Sequence, residues 1–198
     1  MIARIWYSQL LSALGRSAEA IQEARRASEI DPLSVSVAAN LAFVFYSARR
    51  YEEAISAAKK AMEIDPNYRP PCWYLSFAYA AKNQISEAIE PMEKAAAILR
   101  DHTSIEYLGW IYALAGRNDD ARQILDELKQ LSERTYVSPY CFAFVYFGLG
   151  DLENWRKMME AAFDERNTVL VYLKSHPIWD SVRSDPFFQE FIRKIGLL

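Results

Sequence analysis

Apolar residues recur in this chain at the spacing of a helix face, and the pattern returns along the sequence. Leu41 and Phe45, Leu75 and Tyr79, and Leu108 and Tyr112 lie four residues apart, which places each pair on one side of a helix. A second kind of segment follows each of these, with small residues at fixed offsets. GRSAEAIQEARRASEIDP begins at Gly15, RRYEEAISAAKKAMEIDP at Arg49 and NQISEAIEPMEKAAAILR at Asn83, so their starts are 34 residues apart. GRNDDARQILDELKQLSE from Gly116 and GDLENWRKMMEAAFDERN from Gly150 continue the series, again 34 apart. Each unit therefore predicts two helices. Gly15, Gly116 and Gly150 fall at the turn between them, where a left-handed backbone is easily adopted. Pro32 and Pro66 stop the second helix, because proline lacks the amide proton and clashes with the preceding turn.

A period near 34 with small residues where two helices cross resembles the tetratricopeptide repeat, a helix–turn–helix unit. Ala20, Ala54, Ala88 and Ala121 match the earlier small site of the second helix, and Ala27, Ala61 and Ala95 the later one. The match departs from the family at Arg100, which replaces the terminal proline, at Leu128 and at Trp155, where a wider helix crossing is expected. The resemblance implies an all-α, right-handed solenoid of five repeats, about 1–34, 35–68, 69–101, 102–135 and 136–164, with a C-terminal capping helix in 165–198. A stacked repeat leaves an apolar face on its last unit, and the final segment is expected to pack there.

That segment differs from what precedes it. Asn167-Thr168 predicts the cap of a short helix through VLVYL. Asp185-Pro186 predicts the start of another, with Phe187, Phe188, Phe191, Ile192 and Ile195 at helical spacing. The run Tyr172, Leu173, Lys174, Pro177, Trp179, Asp180, Val182, Arg183, Ser184, Asp185, Pro186 and Phe188 resembles the tail that ends C-terminal repeat regions in bacterial multidomain signalling proteins. In those, the repeats follow a kinase, a cyclase-like, a winged-helix or a propeller domain. The resemblance implies that this chain is the interaction end of a longer protein.

Composition narrows the chemistry. A hydrophobic share of 52% excludes a disordered chain, and a mixed-sign net charge of −3 lacks the basic stripe of a nucleic-acid binder. No stretch reaches the roughly 18 apolar residues of a membrane helix, and no secretion signal is read at the N-terminus. A cytoplasmic protein is expected, with Cys72 and Cys141 as reduced, buried thiols. His102 and His176 sit at helix boundaries and read as surface or capping residues. Glu52-Glu53 and Asp119-Asp120 open second helices, where carboxylates suit the positive end of the dipole. Arg25-Arg26, Arg49-Arg50 and Lys59-Lys60 read as a solvated face. With no phosphate loop, nucleophile elbow or metal motif in the sequence, no enzymatic activity, cofactor or metal is expected.

Partner binding is then the expected work. By the family's geometry, first helices line a groove, with Gln9, Phe43, Phe77, Trp110 and Phe144 in one column. One turn earlier come Ile5, Ala39, Trp73, Glu106 and Tyr140; one turn later, Tyr46 and Phe147. The candidate groove is therefore Phe43, Tyr46, Trp73, Phe77, Trp110, Tyr140, Phe144 and Phe147, suited to a peptide or protein segment. The other reading is that these rings are covered by second helices or by the chain's own ends. Docking on a neighbouring domain, a small hydrophobic ligand in the groove, and homodimerisation through Ile2, Ile5 and Trp6 are the alternative uses.

Overall fold

A computed structural model describes residues 1–197 of the chain; Leu198, the last residue of the expected 165–198 cap, lies outside them. The described residues are all-helical and contain no strand. In chain order the helices are α1 (Ile2–Ala13), α2 (Ser17–Ile30), α3 (Val35–Ser47), α4 (Tyr51–Ile64), α5 (Pro70–Ala81), α6 (Ile85–Ile98), α7 (His102–Leu114), α8 (Asn118–Ser132), α9 (Pro139–Gly148), α10 (Leu152–Asp164) and α11 (Pro186–Lys194). Two 3₁₀ segments, Thr168–Tyr172 and Pro177–Val182, precede α11.

The turns within the hairpins share one geometry. At the end of the first helix the chain places a residue in the left-handed region: Gly15, Arg49, Asn83, Gly116 and Gly150, with φ between 59° and 74°. The next amide then donates back across six residues, Arg16 to Leu11, Arg50 to Phe45, Gln84 to Tyr79, Arg117 to Tyr112 and Asp151 to Tyr146, at 2.8–3.0 Å. Three of the five are glycines, as the sequence predicts. Arg49 and Asn83 take the same backbone with a side chain; for an ordinary L-residue this costs about 1–2 kcal/mol.

The helices form two units. The first contains Met1–Gln84 together with the segment from Val169 onward; the second contains Ile85–Thr168. The third expected repeat, 69–101, thus gives α5 to one unit and α6 to the other. In the first unit, Ala20, Ala24 and Ala27 on α2 and Ala54, Ala58 and Ala61 on α4 have no exposed surface, so the paired helices meet on methyl groups. In the second unit Ala88, Ala95 and Ala121 are equally buried. Leu128 and Trp155, the two departures from a small residue, are also fully covered, with Phe147 tilted against Trp155 at 5.5 Å between ring centres.

The tail departs from expectation in its address. Asp185 caps α11, accepting from the Phe188 amide at 3.2 Å, with Pro186 in the first turn, as predicted. Asn167, expected with Thr168 as the cap of a short helix, donates from its side-chain amide to Ser138 Oγ at 2.7 Å, and the short helix that follows, Thr168–Tyr172, is 3₁₀. The segment from Val169, expected to pack on the last repeat, joins the unit of α1–α5. The physical reason is the set of ring contacts and the ion pair described below.

One close approach sets a limit on the second unit. A methyl group added at Gly109 would lie 2.8 Å from Ile124 Cγ2 and 2.9 Å from Val145 Cγ2, so α7 meets α8 and α9 there without room for a side chain. Replacing Gly109 with alanine is expected to cost about 1–3 kcal/mol through overpacking, read as a lower urea midpoint. An unchanged midpoint would show that the helices separate freely at this point.

Candidate functional site

The eight predicted groove residues divide evenly between the units. Phe43, Tyr46, Trp73 and Phe77 belong to the first; Trp110, Tyr140, Phe144 and Phe147 belong to the second. Within each unit some of them meet. Tyr46 and Phe77 lie 5.8 Å apart between ring centres, and Phe43 packs on Tyr74 at 5.5 Å. In the second unit, Phe144 touches Trp110 at 5.6 Å, Tyr140 at 5.8 Å and Tyr107 at 5.2 Å. Six of the eight are buried; Trp73 and Phe147 are half-buried. The Arg69 guanidinium stands over the Trp73 ring.

In the first unit the chain's own tail covers this surface. Tyr172 sets its edge against Phe43, with ring centres 5.7 Å apart. His176 inserts its ring between Tyr46, at 5.1 Å, and Phe77, at 5.8 Å, edge-on to both. The Tyr46 hydroxyl is hydrogen-bonded to the backbone of Ile178, and Pro177, Ile178 and Trp179 are buried. Asp180 then closes the contact: Arg49 donates to its two carboxylate oxygens, from Nε at 2.9 Å and from a terminal nitrogen at 2.6 Å. Arg183 shapes the tail itself, donating to Asp180 and to the carbonyls of Lys174 and His176.

Several of these roles differ from those read in the sequence. Arg49 is not merely part of a solvated basic pair; its left-handed backbone aims a bidentate fork at Asp180. His176 precedes the 3₁₀ helix Pro177–Val182 without capping it through its side chain, and its buried Nδ1 has no hydrogen-bond partner among the described residues. Burial drives its pKa down to about 3, helped by Arg183 and Arg49 and opposed by Asp180. The ring is therefore neutral at physiological pH. No sequence signal identified Arg49 and Asp180 as partners; they stand 131 residues apart.

Part of the first-helix face stays open. A cleft of about 300 Å³ is lined by Ile5, Trp6 and Gln9 of α1, Ala39 and Asn40 of α3, and Tyr74 of α5, among others. Its polar side is ordered: Gln9 donates to Asn40 at 3.1 Å and Asn40 to Ser8 at 2.8 Å. Trp6 is 66% exposed and Ile2 63%, with Leu10 and Leu14 continuing the apolar stripe. In the second unit, the column position held by Glu106 is only 4% exposed. Burial drives the Glu106 carboxyl up to about 8, against a hydrogen bond from the Cys141 thiol. Burial and Glu106 together raise the Cys141 pKa, so the thiol stays protonated. Among the described residues, no group of three or more potential ligands is placed to hold a metal ion, and no helix is long and apolar enough to cross a membrane.

Family models of the tetratricopeptide repeat match residues 3–32 and 45–108. Tetratricopeptide repeats (TPRs) are therefore recognised in this chain. No curated protein sequence matches it. Among solved structures, TTC0263, a thermophilic TPR protein of Thermus thermophilus, is similar at 20% identity, over 89% of this chain and 97% of that one, with a TM-score of 0.69. A TPR protein of Parabacteroides merdae is 13% identical over 98% of this chain and 77% of its own, with a TM-score of 0.56. An O-GlcNAc transferase of Thermobaculum terrenum is 17% identical over 57% of this chain, which spans 22% of that enzyme, with a TM-score of 0.52. At these identities the likeness shows the fold alone.

The two shifted groups act on stability with opposite signs. A carboxyl held above its ordinary 4.5 favours the fold below that value, and the benefit is lost as pH rises through about 8. Glu106→Gln is therefore expected to raise the Tm by several degrees at pH 9 and to converge with the parent chain near pH 5; parallel curves at all pH values would refute this. For His176, held below 6.5, the contribution is complete above 6.5 and lost as pH falls toward about 3. His176→Phe is expected to flatten the fall in urea midpoint between pH 7 and pH 5, and an unaltered slope would refute it.

Proposed function

We propose that this chain is a non-catalytic protein-binding scaffold whose first-helix face takes a peptide or protein segment. TPR proteins generally act as such scaffolds. The observation that carries the reading here is the open cleft beside Trp6, where a largely exposed indole faces an ordered amide pair, Gln9 and Asn40. That combination suits an extended segment: an apolar side chain enters the cleft and its backbone meets the amides. The tail pattern through Tyr172–Phe188 supports a place at the interaction or regulatory end of a bacterial signalling protein. The remaining groove residues, Phe43, Tyr46, Phe77, Trp110, Tyr140 and Phe144, are buried; in the first unit they favour a second reading, intramolecular docking, because a segment of the same chain rests on them.

The test selects peptides from a random library on the full chain and measures their affinity for variants. Trp6→Ala with Gln9→Ala is expected to lose at least about tenfold, since truncating a central tryptophan at an interface removes roughly 2 kcal/mol or more. Lys60→Ala with Glu63→Ala, on exposed positions of α4, is expected to change nothing. Selected peptides that bind the Trp6/Gln9 variant as tightly as the parent chain would overturn the reading.

A further inference from the structure

The strap that crosses α3 and α5 has the attributes of a ligand. Three of its contacts are chemically distinct: a neutral ring between two aromatic rings, a backbone bond to a buried phenol, and a carboxylate in a two-pronged arginine fork. They fall within the stretch from His176 to Asp180, in 3₁₀ rather than α-helical backbone. The large rings that follow pack partly on one another, Trp179 on Phe188 at 6.2 Å and Phe187 on Phe191 at 5.5 Å, so the tail carries some of its apolar burial with it. On the receiving side, Arg49 stands at a turn position that is glycine in three of the five hairpins. Where those three have no side chain, Arg49 reaches Asp180 with its guanidinium.

We propose that Tyr46, Phe77 and Arg49 form a recognition site for a segment with an uncharged ring, a proline, two apolar residues and a carboxylate four positions after the ring, and that residues His176–Asp180 occupy it as an internal competitor. A partner segment of the same chemistry reaches the site by displacing the strap. This rests on the reading of the first-helix face as a binding surface and adds its regulation. Charge complementarity fixes the direction of the bound segment, since only its carboxylate end meets Arg49. The aromatic pair accepts a neutral ring and rejects a charged one, because a charge placed between them loses its water without a partner.

The experiment uses the full chain and a labelled peptide spanning residues 169–183, followed by fluorescence anisotropy. In the parent chain the tethered strap competes at an effective concentration in the millimolar range, and the peptide binds weakly. His176→Glu in the chain ejects the strap, and the peptide is expected to bind at least about tenfold more tightly. The same chain is expected to discriminate against a peptide bearing Asp180→Arg, and adding Arg49→Asp to the chain is expected to reverse that preference. Circular dichroism establishes that helix content is retained in each variant. No tightening with His176→Glu in a folded chain, or a peptide preference that Arg49→Asp leaves unreversed, would overturn the proposal. Either result leaves the Trp6 cleft and its library-selected peptides untouched, so the two readings fail separately.

Discussion

The structure depends on helices that approach each other across methyl groups. Ala20, Ala24 and Ala27, and again Ala54, Ala58 and Ala61, have no accessible surface, and a larger side chain there would drive the pair apart. Because α2 and α4 contribute so little volume at these contacts, the first helices beside them must supply it. They do so with Phe43, Phe45 and Tyr46 on α3 and Phe77 on α5. A first helix that is apolar on most of its circumference cannot bury every side at the hairpin contact alone. The aromatic columns follow from the alanine columns, and whatever covers them completes the core.

That dependence explains what could be read in advance and what could not. The five hairpins were legible because an alanine contact and a left-handed turn recur at a fixed interval, and both are local. The helix start at Asp185-Pro186 was legible for the same reason. The position of α11 was not. Phe188, Phe191 and Ile192 suit any apolar surface, and hydrophobic burial carries no address. The address comes from pairings such as Arg49 with Asp180, separated by 131 residues and invisible to periodicity. In sequence Arg49 reads as part of a solvated pair because its neighbour Arg50 does behave so, pairing with Glu53 three residues on.

The same limit applies to the candidate site. The register of first helices places Tyr46 beside Phe77, and Phe144 beside Trp110 and Tyr140. Their exposure was beyond that register, since it depends on an occupant that no helical wheel contains. Glu106 illustrates the point from the polar side. It belongs to a groove column and lies buried, with the Cys141 thiol as its hydrogen-bond donor and a proton retained to near neutrality.

The balance of forces on the strap assigns different work to its two ends. Arg49 and Asp180 are 44% and 38% exposed, so their ion pair contributes about 1 kcal/mol or less. Shielding an aromatic side chain from water contributes on the order of 1.5–3 kcal/mol, so the rings hold the strap and the ion pair sets its register. His176 is a poor choice for permanence: it places a buried nitrogen without a partner between Tyr46 and Phe77, where phenylalanine would fit without that cost. A contact built for stability alone would not combine an unsatisfied ring, a strained arginine and an exposed ion pair. A contact that must hold against water and still yield to a better-fitting segment has reason to contain all three.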